Sequence, residues 1–160
     1  MVLVLKKYYL YFIAIILVII IIYIIKGKEK KTIVQYTAQS KPIKPLKDWL
    51  ITSPYGVRAA GFHNGIDLQA PMSTPVLAPI DGVVSWTDSD AGGMQLLLIN
   101  GEVRLGFAHL SSRQAAHGST VKQGDIIAHT GNSGTHTSGP HLHYTYSVNG
   151  IKQDPQTFHA

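Results

Sequence analysis

The sequence contains no cysteine. That excludes disulfides, thiolate nucleophiles and cysteine-based zinc sites, so any transition metal must be held by histidine and carboxylate. Glutamate is nearly as scarce: Glu29 and Glu102 are the only ones. Neither lies in an H-E-x-x-H pattern, which excludes a helix-borne zinc site with a glutamate base. A G-x-S-x-G elbow, a Walker loop and a dinucleotide fingerprint are also missing. Gly131-Asn132-Ser133-Gly134 is glycine-rich, but no helical pattern follows it, so it does not read as a phosphate cradle.

Positive charge is lacking where a nucleic-acid surface would need it. Residues 1–47 hold nine lysines and one acid, a balance of +8, whereas residues 48–160 hold five bases and eight acids, a balance of −3. The overall +5 therefore belongs to the N-terminal segment, and the C-terminal domain offers no basic face to nucleic acid. A basic tract beside an apolar run fits anionic lipid better.

That run is the one long hydrophobic stretch. Residues 8–25 carry no charge, glycine or proline, and as a helix they would span about 27 Å, roughly a bilayer core. Tyr8, Tyr9, Tyr11 and Tyr23 cluster toward its ends, where amphipathic rings favour the interface. It is long for the apolar part of a signal peptide, and no A-x-A site follows it. A retained transmembrane anchor is expected, after a short basic N-terminus at 1–7 and before a basic linker at 26–47 that contains Pro42 and Pro45. Lysines flank the run on both sides. Counting positives alone would leave the C-terminal domain inside, so a domain working outside disobeys that rule or sits in another membrane.

From Trp49 onward Gly, Pro, Ser, Thr and Val become frequent, and no long stretch has a helical apolar period. Short β-type runs between turn residues predict an all-β domain over 48–160. Predicted strands are 76–78, 82–87, 94–99, 103–109, 126–130 and 141–148, with Asn100-Gly101 as a two-residue hairpin signal. About 110 residues of β structure can bury an adequate core unaided, so a metal here would serve chemistry rather than folding.

His141 and His143 stand at i and i+2 in one of these strands, so their imidazoles share a face. That suits a metal, an acid/base pair or one of each, and equally a solvent face. His63-Asn64-Gly65-Ile66-Asp67 places an imidazole and a carboxylate around a turn, where a local hydrogen bond competes with metal ligation. His109 ends an apolar strand. Together His63, Asp67, His109, His141 and His143 suffice for a zinc site, which at a catalytic centre takes three protein ligands and leaves a fourth position open.

The motifs in order resemble the M23 metallopeptidases, the lysostaphin/LytM-like peptidoglycan endopeptidases, over residues 52–158. The matching stretches are Thr52-Ser53-Pro54-Tyr55-Gly56-Val57-Arg58, Phe62-His63-Asn64-Gly65-Ile66-Asp67-Leu68, Ala78-Pro79-Ile80-Asp81-Gly82-Val83-Val84 and Phe107-Ala108-His109-Leu110. Val121-Lys122-Gln123-Gly124-Asp125-Ile126-Ile127, Gly131-Asn132-Ser133-Gly134, Thr137-Ser138-Gly139-Pro140-His141-Leu142-His143 and Asp154-Pro155 follow. The resemblance implies a small antiparallel β-sandwich or open barrel with its site in a groove. It implies one Zn2+ held by His63, Asp67 and His143, with His109 and His141 as the unligated catalytic pair. Tyr55, Arg58 and Ser138 would line the groove. The implied activity is hydrolysis of peptide cross-links of bacterial peptidoglycan by an anchored enzyme whose domain faces the wall or periplasm. Its use would be in wall lysis or remodelling, or in infection or release by a phage, in which case a virion membrane is the other location. The first stretch is nearer to enzymes of directly cross-linked peptides than to pentaglycine cutters. The rival function is a peptidoglycan-binding or membrane and virion structural protein of the same fold. The sequence singles out no protein partner. Phe107, where tyrosine is usual, and Tyr144-Thr145, where Phe-Glu is common, depart from the pattern without touching a ligand. His117, His129, His136 and His159 are taken as surface or turn residues, with His136, near the site in sequence, the one to watch.

Overall fold

A computed structural model of the chain describes residues 41–59 and 61–160. The expected N-terminus, the anchor at 8–25 and most of the expected linker lie outside the described residues. Among the described residues no helix is long and apolar enough to cross a membrane.

The described chain is all-β and antiparallel, as expected. In order it forms β1 (Ile51–Ser53), β2 (Gly56–Arg58), β3 (Gly61–His63), β4 (Ile66–Gln69), β5 (Pro75–Leu77), β6 (Gly82–Trp86) and β7 (Met94–Asn100). Then come β8 (Val103–Arg113), β9 (Thr120–Val121), β10 (Ile126–Thr130), β11 (His141–Val148), β12 (Ile151–Gln153) and a single helical turn, α1 (Pro155–Phe158). Strands β2 and β3 pair only with each other. The remaining ten make one continuous sheet in the order β1-β4-β11-β8-β7-β6-β9; β12 adds to β11, while β10 joins β8 to β5.

Period-two alternation builds the sheet's two faces. Leu96 and Leu98 on β7, Ile66 and Leu68 on β4, and Leu142 and Tyr144 on β11 are all fully buried. With Leu105, Phe107 and Leu110 of β8 they form the core. Phe107 packs against Tyr144 with ring centroids 5.3 Å apart, so the position usually held by tyrosine here faces the interior.

β8 is too long to run straight. On its β7 side Leu96 pairs with Phe107 and Met94 with Leu110, so β8 carries one extra residue there. On its β10 side the register shifts again between His129 and Thr130. Such bulges bend a strand and re-aim side chains. The first half of β8 can thus pair with β11 (His143 opposite Ala108) and the second half with β10.

Two boundaries differ from the sequence reading. The expected linker end is not solvated: Leu46 is 2% exposed, the Leu77 amide donates to the Pro45 carbonyl at 2.8 Å, and the Ile43 amide to the Pro79 carbonyl at 3.1 Å. Burying a leucine contributes roughly 1.5–3 kcal/mol, so residues 41–47 belong to the domain. The hairpin turn also moves by one: Asn100 pairs with Val103, which leaves Gly101 and Glu102 as the loop. The short strands β1 to β4, β9 and β12 carry no run long enough to be predicted from alternation.

Candidate metal centre and groove

Strand register assembles the centre. Asp67 lies directly opposite His143 in the β4–β11 ladder. Directly opposed side chains start only ~4.5–5.5 Å apart at Cβ, and here His143 Nδ1 meets Asp67 Oδ1 at 2.8 Å. His63 closes β3 and reaches in from the β2–β3 hairpin, its Nε2 standing 3.2 Å from Asp67 Oδ1 and 3.1 Å from His143 Nδ1. Gly65 makes this turn possible, because a Cβ there would sit 2.5 Å from the Tyr144 carbonyl and 2.9 Å from His143 Cε1.

These atoms form the one His/Asp/Glu group among the described residues compact enough to hold a metal ion. Tetrahedral zinc with bonds of ~2.0–2.1 Å needs donors about 3.3 Å apart, close to the spacings found. The donor set also fits. His63 Nδ1 is 2.8 Å from the Pro54 carbonyl, so that nitrogen carries the proton and Nε2 keeps its lone pair toward the centre. For Asp67, partial burial works to raise the pKa. The hydrogen bond from His143 and the charges of His63, His143 and His141 outweigh it, and the net shift is downward. The carboxylate is therefore held ionised, as a ligand must be.

The other two histidines fall outside that group. His141, two residues before His143 on the same face, has its Nε2 3.7 Å from Asp67 Oδ1, and its Nδ1 donates to the Gly139 carbonyl at 2.8 Å. His109 sits in the β8 bulge with φ +61. A non-glycine residue rarely adopts this left-handed conformation. It is held there by its amide, which donates to the Gly92 carbonyl at 2.9 Å, and by its Nδ1, 2.8 Å from the Ser133 carbonyl. Gly131 backs the bulge: a Cβ on it would lie 2.4 Å from the Ser111 amide nitrogen. The rings of His109 and His141 are 4.7 Å apart at their centroids. Burial lowers the His109 pKa and the charges of His141 and His143 add to this, against the Ser133 carbonyl and Asp67. His109 is thus kept neutral, its Nε2 unprotonated.

All five residues open onto one groove of about 570 Å³. Of the three expected substrate contacts, Arg58 and Ser138 line it. Arg58 also donates to Ser53 Oγ at 2.8 Å and lies 3.7 Å from Asp67 Oδ2. Tyr55 does not line the groove. It packs edge-on against Phe62 and donates its hydroxyl to the Lys152 carbonyl at 3.2 Å, so it braces the wall from behind. The opposite wall is two loops zipped together, with the Thr135 amide on the Asp90 carbonyl at 2.8 Å and the His136 amide on the Ala91 carbonyl at 3.0 Å.

Sequence reasoning missed several parts. The carbonyls of Pro54, Ser133 and Gly139 orient three imidazoles, and nothing in residue type announces a carbonyl. Gly131–Gly134 offered a signal, a glycine-rich turn beside the site, but its task is to carry Ser133. His136 does line the groove. His159 is no surface residue: it stacks edge-on to Trp49 and accepts from the Tyr144 hydroxyl at 3.1 Å.

Comparison with known proteins finds a matching family and matching folds. The model of Peptidase family M23 matches residues 61–155. The DD-carboxypeptidase/endopeptidase Mpg of Neisseria meningitidis is 38% identical over 122 residues, 71% of this chain and 28% of Mpg. The catalytic domain of lysostaphin from Staphylococcus simulans superposes with a TM-score of 0.64 at 33% identity, covering 69% of this chain and 91% of that one. A zinc-containing peptidase from Vibrio cholerae superposes at 0.65 with 27% identity, covering 69% and 37%. The chain spans 20 to 28% of the length of such curated relatives.

Proposed function

The chain belongs to Peptidase family M23, and on that premise we propose that it is a membrane-anchored zinc endopeptidase that hydrolyses peptide cross-links of bacterial peptidoglycan. The observation that carries this reading is the division of labour in one groove. Three donor atoms converge on a single point, and two further imidazoles face the same space with their Nδ1 atoms tied to carbonyls.

His63, Asp67 and His143 hold the zinc, a choice of metal supported by the absence of thiolates and by the zinc in the Vibrio cholerae relative. Bound there, zinc supplies Lewis-acid polarisation of a peptide carbonyl and lowers the pKa of water. His109 and His141 act at Nε2. Neutral, either can accept the proton of the attacking water; once protonated, either can donate to the developing oxyanion or to the leaving amine. The Ser133 and Gly139 carbonyls stabilise the imidazolium through Nδ1–H. Arg58 and Ser138 position the peptide. Residues 8–25 anchor the protein, the chain up to about residue 40 tethers it, and the domain faces the wall. The uncharged, tyrosine-flanked run supports this arrangement. Directly cross-linked peptides are the favoured substrate, in line with the DD-endopeptidase names of relatives.

Purified protein should bind one zinc per chain and release new amino termini from purified peptidoglycan, and a chelator should stop the release. A zinc-loaded protein that binds the wall but leaves every peptide bond intact would establish the binding-module alternative instead.

A further inference from the structure

The groove holds a cation that the proposed chemistry does not use. Its lining contains three fully charged side chains, Arg58, Asp67 and Lys152. Asp67 is the only acid among them. It belongs to the metal centre, and Arg58 leans on it and on Ser53. Lys152 has neither. Among the described residues it pairs with no carboxylate, and its Nζ donates to Thr145 Oγ1 at 3.2 Å. An ammonium has three donors, so two have no partner among the described residues.

Its position is built rather than incidental. Lys152 lies opposite Ser147 in the β11–β12 ladder, and the Tyr55 hydroxyl grips its carbonyl at 3.2 Å. The side chain turns inward to the groove face of β11, where Thr145 follows His143 by two residues and stands on the same side. Lys152 remains exposed overall, and the burial it does have lowers its pKa. With the metal in place, the groove carries a surplus of positive charge, which focuses on anionic groups.

We propose that Lys152 is a specificity residue that takes a free carboxylate of the peptide substrate, about two residues from the bond that is cut. The spacing follows from the strand. Two residues of β11, from His143 to Thr145, cover about 7 Å, and an extended peptide along the groove covers that distance in two of its own residues. The inference rests on the peptidase reading above for the peptide, but the carboxylate is argued from Lys152 alone.

The test uses two synthetic directly cross-linked stem-peptide dimers, identical except that the free carboxylates of one are carboxamides. Binding and cleavage of both are measured on the zinc-loaded full chain, its Lys152→Met and Lys152→Arg variants. The wild type should prefer the carboxylate dimer by roughly 10–100-fold in Kd, the range of a charge-assisted hydrogen bond. In K152M that preference should collapse toward one, with KM rising more than kcat falls; K152R should restore most of it. Equal affinity of the wild type for both dimers overturns the inference, as does a preference that survives in K152M. Carboxylate-dependent binding without cleavage by any variant upholds Lys152 and overturns the endopeptidase reading instead.

Discussion

The two sides of the groove are built on opposite terms. The side that carries His109 is a bulged strand wedged between three others, with the Gly131–Gly134 turn locked behind it. The Met94 amide donates to Ser133 Oγ at 2.9 Å, and Ser133 Oγ donates to the Leu110 carbonyl at 2.7 Å. The side that carries His63 is a two-stranded hairpin off the main sheet, with Val57 88% and Phe62 60% exposed. One side holds its histidine by packing. The other buries its histidine just as deeply, but off the main sheet, and sets it with the Pro54 carbonyl, Ser53 Oγ and whatever the three donor atoms share. The difference teaches which half of the site is preorganised and which the proposed metal would complete.

The largest effects should separate metal binding from proton transfer. Asp67→Ala removes the proposed metal ligand whose Oδ1 stands against both His63 and His143. Zinc stoichiometry should fall to near zero, peptidoglycan cleavage below detection, and the rise in Tm on adding zinc should vanish. His109→Ala should keep its zinc and lose roughly 10²–10⁴-fold in kcat, the usual contribution of a positioned acid or base. Loss of zinc from H109A, measured by metal analysis, would contradict the separation.

Stability should divide the same way. Phe107 is 1% exposed in the core behind the bulge, so Phe107→Ala should cost about 3–5 kcal/mol in denaturant unfolding. Phe62→Ala on the hairpin should stay within about 1 kcal/mol, because most of that ring already meets solvent. A comparable cost at both positions would mean that the hairpin is part of the core after all.

The same contrast explains what the sequence could and could not convey. Strands β6, β7, β8, β10 and β11 were legible because each is a run of five or more β-type residues bounded by turn residues. His141 and His143 could be placed on one face for that reason. Strands β1 to β4 have three or four residues each, too few for a period, so His63 and Asp67 were found as a motif and not as geometry. Their convergence depends on one register fact, Asp67 opposite His143, which is non-local and invisible in composition. Residues 41–47 misled in the other direction: Lys and Pro made them resemble a linker, and one buried leucine decides otherwise.

Metal withdrawal should sharpen the comparison at the level of backbone opening. Once a chelator has removed zinc, amides of Gly56–His63 should exchange faster, by about an order of magnitude. Those of Phe107–Leu110 should be unchanged, because local opening follows local packing. Equal acceleration on both sides, read by hydrogen-exchange mass spectrometry, would show that the bulge also leans on the metal.

The smallest effect belongs to neither wall but to the back of β11, and it tests whether the groove alone sets the pH response. His159 is pushed down to about 4, mainly by burial and further by Lys44, against the Pro42 carbonyl. The Tyr144 phenol, its pKa raised by burial, stays a donor to it. Unfolded histidine titrates near 6.5, so between that value and about 4 the unfolded chain binds the extra proton. The contribution of His159 is therefore fully present above about pH 6.5, declines as the pH falls, and is gone below about 4. His159→Gln should flatten the slope of metal-free Tm against pH in that window and leave it unchanged above pH 7. The ring rests on Trp49, and the carbonyl facing it is that of Pro42. The slope therefore also reports whether residues 41–49 remain docked. If H159Q and the wild type lose stability in parallel from pH 6.5 to 4, His159 does not set the acid response, and the back of the sheet takes no part in it.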